Sequence, residues 1–217
     1  MNNRPFKVVI LISGNGSNLQ AIIDEQKNNL PIEICAVLSN KADAYGLERA
    51  KKADIPVIFI NHSEYPDRES FDQAMQTEID KLAPDLIVLA GFMRILSDAF
   101  VNHHLGKMIN IHPSLLPDYR GLNTHQRVID DKKKIHGVSV HYVTPELDGG
   151  PVILQSQVTV DENDTAETLA KKVQVAEHHI YPLAIKWIAE GKIKFENNQI
   201  SHEGLPLNSP IIENAKV

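Results

Sequence analysis

One cysteine in 217 residues rules out an internal disulfide framework. Cys35 stands in the apolar run Ile34-Cys35-Ala36-Val37-Leu38, so a buried, inert thiol in a reducing compartment is expected. Positive charge is also scarce. Lys and Arg number 22 against 28 Asp and Glu, leaving a net charge of −6. No basic stripe of the kind that binds nucleic acid is present. Lys132-Lys133-Lys134 is the one basic run and reads as a solvated turn. No apolar stretch approaches the ~20 residues that a membrane helix needs, and the N-terminus lacks signal-peptide architecture. Internal repeats, linkers and low-complexity segments are missing too. These absences point to a cytoplasmic protein that binds neither nucleic acid nor membrane. Its 42% hydrophobic content is enough for the core of one domain.

What is present is an alternation of strand and helix patterns. Phe6 to Ile12 is a continuous apolar run, as in a strand buried on both faces. Ile32 to Leu38, Val57 to Ile60, Asp85 to Ala90 and Leu105 to Ile111 read as further strands. Between them, 19–26, 44–53 and 67–82 carry helical spacing; in the last, Phe71, Met75, Ile79 and Leu82 form one stripe. Thr124 to Asp130 reads as a helix. His136 to Val143 and Val152 to Val160 alternate like partly exposed strands. Asp164 is expected to cap a long helix that Pro182 kinks or splits. Lys192 to His202 reads as a hairpin on Asn197-Asn198, and the last dozen residues as a loose tail. The pattern predicts an α/β fold: an open, mostly parallel twisted sheet with helices on both faces and antiparallel additions at one edge.

Two segments carry chemistry. Gly14-Asn15-Gly16-Ser17-Asn18 joins the first strand to the first helix. Glycines let backbone approach an anion, and a helix N-terminus points N–H groups at it. The same loop also reads as a tight turn before a helix. A dinucleotide fits it less well than a single phosphate. Leu19 stands where a third glycine belongs, and no acid follows the second strand, which ends in Ser39-Asn40-Lys41.

The second segment is Asn110-Ile111-His112-Pro113-Ser114-Leu115-Leu116-Pro117. Side chains two apart on a strand share a face, so Asn110 and His112 are offered together at a strand's carboxyl end. Pro113 holds His112 extended. Asp148 lies in Glu146-Leu147-Asp148-Gly149-Gly150-Pro151, another turn sequence. Asn, His and Asp together can stabilise an oxyanion and move a proton; a core histidine with a buried amide partner is the plainer alternative. No His or Cys spacing suggests zinc, so no metal is expected. Ser114 lacks the elbow of a nucleophile.

Gly14-Asn15-Gly16-Ser17-Asn18-Leu19-Gln20, Ala90-Gly91-Phe92-Met93-Arg94-Ile95-Leu96, the Asn110 to Pro117 segment and Leu147-Asp148-Gly149-Gly150-Pro151 occur in that order. With them the chain resembles the phosphoribosylglycinamide formyltransferases, members of the folate-dependent formyltransferase superfamily, over about residues 6 to 205. The Asn-His-Pro-Ser segment with the later Asp marks the superfamily. The glycine loop and Glu177-His178-His179-Ile180-Tyr181-Pro182 narrow it to the glycinamide branch. The resemblance implies transfer of a formyl group from 10-formyltetrahydrofolate, the cosubstrate, to the amine of 5-phosphoribosylglycinamide in purine synthesis. It makes Asn110, His112 and Asp148 catalytic. It gives Gly16, Ser17 and Asn18 to the substrate phosphate and Glu177 to its glycinamide end. It gives Arg68, Met93, Arg94, Ile95, Leu96 and Asn110 to the folate. One formyltransferase domain over 1–217 follows, with a phosphate-binding half at about 1–100, a folate-binding and catalytic half at about 101–205 and the tail at about 206–217. A monomer or weak homodimer is expected.

One departure stands out. Arg120 and Asn123 occupy positions where this branch usually has proline and histidine, and Tyr119-Arg120-Gly121 is closer to relatives acting on initiator tRNA. Those relatives carry an extra C-terminal domain and more positive charge. The related 10-formyltetrahydrofolate hydrolases carry an extra N-terminal domain, whereas this chain starts at its first strand. Hydrolysis of the folate, or non-catalytic binding of a nucleotide or folate, are the alternatives to transfer.

Overall fold

The structure, a computed structural model, describes residues 4–197 and 199–214. It divides into two compact units, Met1–Ile109 and Asn110–Val217.

The first unit is a parallel sheet in the order β4-β1-β2-β3. Its strands are β1 (Phe6–Ile12), β2 (Ile32–Ser39), β3 (Val57–Phe59) and β4 (Leu86–Leu89). Each of the three pairings is parallel. The unbroken apolar run of β1 meets its expectation: Val8 to Ile12 are all fully buried. The connections are α1 (Ser17–Asn28), α2 (Tyr45–Lys52) and α3 (Arg68–Leu82). Asp67 caps α3 by accepting the Ser70 N–H at 2.7 Å, and Phe71, Met75 and Ile79 bury its stripe. A short helix, α4 (Asp98–His103), was not legible in the pattern because six residues hold no periodicity. Cys35 is half-buried rather than buried, as it lies on the alternating face of β2 beside Glu33. Desolvation, with Glu33 adding to it, raises its pKa and keeps it a poor nucleophile.

The strand β5 (Met108–His112) leads into the second unit, whose strands run β11-β7-β6-β5. Here α5 is Thr124–Asp130, β6 Ile135–Tyr142, β7 Val152–Thr159 and α6 Ala166–Ala189. The expected antiparallel addition is the β6–β7 pair. Of the two, β7 is partly exposed as expected, buried from Ile153 to Ser156 and opening at Gln157 and Thr159, whereas β6 is not. From His136 to Tyr142 every residue of β6 is buried, including His136, Ser139 and His141. Polar residues that look solvent-facing in sequence are turned inward here and bonded to other chain.

Three further expectations shift. Thr165, not Asp164, caps α6, in a reciprocal box with Thr168; Asp164 instead accepts from the Thr168 hydroxyl and pairs with Lys172 at 2.6 Å. Pro182 does not split α6, whose assignment runs unbroken through it. Ile180, Tyr181, Ala184 and Ile185 are fully buried around it, and that packing offsets the missing hydrogen bond. The C-terminal stretch is not loose throughout. After the hairpin β8 (Ile193–Glu196) and β9 (Gln199–His202) come β10 (Leu205–Pro206) on β9 and β11 (Ile211–Ile212), parallel to β7. Of the hairpin turn, Asn197 has a left-handed backbone; Asn198 and residues 215–217 lie outside the described residues. No helix among the described residues is long and apolar enough to cross a membrane.

Candidate functional site

The structure brings Asn110, His112 and Asp148 together. Asn110 and His112 sit two apart on β5. The Asp148 carboxylate lies 3.5 Å from His112 Nδ1, and both side chains are more than nine-tenths buried. Asp148 has a left-handed backbone, which Asp tolerates better than most residues. Its Oδ2 accepts the Gly121 N–H at 2.9 Å, so the carboxylate also anchors the Tyr119-Arg120-Gly121 turn.

The loop bearing Asp148 is held by geometry that only glycine permits. A Cβ on Gly150 would stand 1.8 Å from the Tyr142 carbonyl oxygen. Gly150→Ala is expected to lower stability by about 1–3 kcal/mol, read as a lower urea midpoint.

The proton of His112 has an unexpected recipient. Its Nε2 donates to the Tyr119 carbonyl at 3.0 Å. Tyr119 adopts a left-handed backbone, strained for an aromatic residue. The strain is held by its hydroxyl, which donates to Asp131 at 2.7 Å, and by the Arg127 guanidinium over its ring. Burial and the Asp131 bond push the Tyr119 phenol up to about 12. The departure from the family pattern now has a local account. Arg120 pairs with Glu146, the residue that opens the Asp148 turn, and Asn123 occupies a left-handed position before α5.

Behind the triad stands β6. Ser139 and His141 lie two apart on it. The Ser139 hydroxyl donates to the Ser114 carbonyl at 2.6 Å and accepts the Leu116 N–H at 2.9 Å, pinning the segment after Pro113. His141 Nε2 meets the Asn110 amide nitrogen at 3.2 Å. Sequence reading had no reason to select His141 among ten histidines; its only signal was two-residue spacing from Ser139 in a strand. His136 and His125 form a second contact, 3.1 Å apart. Burial lowers both, His136 to about 4.

In the first unit, Gly16 has a left-handed backbone and a Cβ there would stand 2.7 Å from Gly46. Gly16 also precedes α1 and, as glycine, gives it no side-chain cap. The residues Ser13 to Asn18, with Ala90, Gly91 and Met93, line a cavity of about 190 Å³. Arg49, which sequence reading missed, braces this loop. Its guanidinium donates to the Asn15 carbonyl at 2.9 Å, to the Asn15 side chain at 3.0 Å and to Gln20 at 3.1 Å. A fixed cation beside a glycine loop suits a dianion.

The other expected binding residues divide. Met93 and Ile95 are 70% and 62% exposed, whereas Leu96 is buried. Arg94 lies over the Phe71 ring at 5.1 Å. Arg68 is exposed and paired with its neighbour Glu69. Glu177 is half-buried on α6, and its charge raises the buried Tyr181 phenol further after desolvation. Among the described residues one group, Asp80 with His103 and His104, has the ligand types for a cation; Asp80 and His103 already form an ion pair at 3.0 Å.

The chain matches the formyl transferase family model over residues 6–185. It is 54% identical over 194 residues to the phosphoribosylglycinamide formyltransferase of Escherichia coli K12, covering 89% of this chain and 92% of that one. It is 44% identical over 193 residues to the human trifunctional purine biosynthetic protein adenosine-3, covering 88% of this chain but 19% of that one. The solved phosphoribosylglycinamide formyltransferase of Coxiella burnetii superposes with a TM-score of 0.93 at 53% identity, covering 96% of this chain and 99% of that one. That likeness extends the α/β, mostly parallel architecture of the two units to nearly the whole chain. On the family match and these identities, the chain belongs to the formyl transferase family.

Proposed function

We infer that this chain is a phosphoribosylglycinamide formyltransferase. It moves the formyl group of 10-formyltetrahydrofolate to the amine of 5-phosphoribosylglycinamide, giving formylglycinamide ribonucleotide and tetrahydrofolate, in purine biosynthesis. The observation that carries the chemistry is the buried His112–Asp148 pair beside the Asn110 amide.

The folate supplies a formyl group on a nitrogen that can leave. The residues present suit such a molecule. Exposed Met93 and Ile95 on one turn offer apolar surface to a flat ring, and Arg94 offers a guanidinium to a glutamate carboxylate. As the substrate amine adds to the formyl carbon, negative charge grows on the formyl oxygen. Asn110 donates an N–H to that oxygen, and a donor of this kind is worth about 2.7–4 kcal/mol of barrier. His112 donates a second bond and passes a proton to the departing folate nitrogen, with Asp148 as its counter-charge. Once the new C–N bond has formed the amine gives up a proton, which replaces the one that His112 has delivered. For His112 to serve the substrate, the Tyr119 carbonyl that now takes its Nε2 proton has to yield. Gly16, Ser17 and Asn18 hold the substrate phosphate, supported by Arg49, and Glu177 takes the glycinamide end.

The test is a tube holding both substrates, read by tetrahydrofolate formation and by mass of the formylated ribonucleotide. Both products should appear together. Tetrahydrofolate formed equally without the ribonucleotide would reassign the chain to folate hydrolysis. A sharper test addresses the phosphate loop. Ser17→Asp sets a carboxylate against a phosphate, so KM for the ribonucleotide is expected to rise by about 10-fold or more, from a repulsion of about 1.4 kcal/mol. KM for the folate should stay near wild type. Equal rises in both constants would remove the phosphate assignment.

A further inference from the structure

A carboxamide has two ends of nearly equal shape and opposite polarity. If Asn110 stabilises an oxyanion, its nitrogen and not its oxygen must face the formyl group. Something has to choose between them.

We propose that His141 is the positioning residue that makes this choice, its bare Nε2 holding one N–H of Asn110 so that the second N–H is left for the formyl oxygen. The proposal rests on the formyl-transfer reading above and deepens it. The chain of reasons starts at a backbone oxygen. His141 Nδ1 lies 2.9 Å from the Tyr142 carbonyl, which can only accept, so Nδ1 carries a proton. A neutral ring with its proton on Nδ1 has a lone pair on Nε2. The ring is neutral because it is 2% exposed. Burial drives its pKa down to about 4, with His112 and Arg120 pushing the same way and the Tyr142 bond and Asp148 opposing. Nε2 lies 3.2 Å from Asn110 Nδ2. An inverted amide would aim its oxygen at that lone pair and be repelled.

The backbone supports this assignment. The β6–β7 register shifts between Val140 and His141. Such irregularities re-aim side chains beside active sites. Pro151 returns to the same place, its carbonyl accepting the Tyr142 N–H at 3.0 Å, while Gly150 allows the close approach that keeps the Tyr142 carbonyl in position. Tyr142 thus fixes the His141 tautomer, and the tautomer fixes the Asn110 amide. Asp148 Oδ1, at 3.8 Å from Nε2, is too distant to compete as a hydrogen-bond partner.

The experiment uses the full chain and four variants, one of them Asn110→Ala alone. His141→Leu removes the acceptor, His141→Gln keeps one in its side-chain oxygen, and His141→Leu is also combined with Asn110→Ala. Expected for His141→Leu is a fall in kcat of about 10²–10³-fold, the range for losing one oxyanion donor, with KM for the ribonucleotide little changed. His141→Gln should recover much of that loss. The double variant should be no slower than Asn110→Ala alone, because the two residues act as one. A purely structural role for His141 would instead multiply the two losses. Nitrogen-15 NMR of the wild-type imidazole reads the tautomer without any turnover, and should find Nδ1 protonated and Nε2 bare at neutral pH. Near-normal kcat in His141→Leu, multiplied losses in the double variant, or a proton on Nε2 would each overturn the proposal. If the wild type transfers no formyl group, the functional reading fails by itself. The NMR result still decides the positioning.

Discussion

Asp148→Asn is expected to leave a folded protein that has lost most of its activity. The two side chains have nearly the same shape. An asparagine oxygen can still accept the Gly121 N–H that Asp148 Oδ2 takes at 2.9 Å. Its nitrogen would stand where Oδ1 now lies, 3.8 Å from His141 Nε2, whose lone pair stays with the Asn110 amide. The turn and its anchor therefore survive. What disappears is the negative charge 3.5 Å from His112 Nδ1. His112 then has to pass a proton with no counter-charge in a buried site. Groups that move a proton in the transition state contribute typically 10²–10⁴-fold, so kcat should drop by about that range. KM for the ribonucleotide should move far less, since Asp148 is not assigned to ground-state binding. Steady-state kinetics beside a urea melt separates the cases. Lost rate with unchanged stability supports the chemical role. Lost rate together with lost stability makes Asp148 a loop residue. Retained rate removes it from the mechanism.

Stability should fall as pH drops through the range 6.5 to 4. Three buried histidines lead, His104, His136 and His141, and the half-buried His125, also lowered by desolvation, adds to them. Burial lowers each of the three from 6.5 to about 4 in the folded chain. The sign follows from proton counting. Below 6.5 the unfolded chain takes up these protons and the folded chain does not, so unfolding gains. The stabilisation is fully present above 6.5, is lost through the window and is flat again below about 4. Each shift corresponds to about 3 kcal/mol, and three uncharged rings give a slope of at most about 4 kcal/mol per pH unit. Urea midpoints at pH 7, 6 and 5 should decline steeply. Carboxylates held low by their partners, such as Asp85 and Asp164, act in a lower window, whereas the buried Asp72, raised by desolvation, offsets part of the decline. His104→Leu cannot charge and should reduce the slope by about one proton. A flat profile from pH 7 to 5 would show that these rings are solvated or already protonated.

The parts of the molecule legible in the sequence are those set by local pattern. Buried parallel strands read as unbroken apolar runs, and β1 and β2 fall where those runs lie. The stripe of α3 and the glycine loop before α1 are equally local. Asn110 and His112 could be placed on one strand face because a proline follows them. The residues that hold this pair in place were not legible. Ser139 and His141 alternate with apolar residues, which in sequence means a solvated face. In the fold that face is buried against the Ser114 segment and Asn110. Arg49 reaches the glycine loop from α2, and Tyr119 reaches His112 through a carbonyl that its side-chain chemistry does not advertise. Of the kink or split expected at Pro182, the split does not occur. The proline's local cost is real, but the buried neighbours on α6 outweigh it.

The two-residue strand β11 has a consequence for association. Among the described residues, β11 is the strand beyond β7 in the second unit's order. Ile211 and Ile212 pair with Leu154 and Gln155, the Glu213 N–H donates to the Gln155 carbonyl, and the Asn214 side chain accepts the Gln157 N–H at 3.0 Å. The chain thus lays its own C-terminal segment over the rim at which another molecule could add a strand. A copy approaching that rim has to displace a segment already bonded there, so the tail keeps β7 from serving as a template for edge-to-edge aggregation.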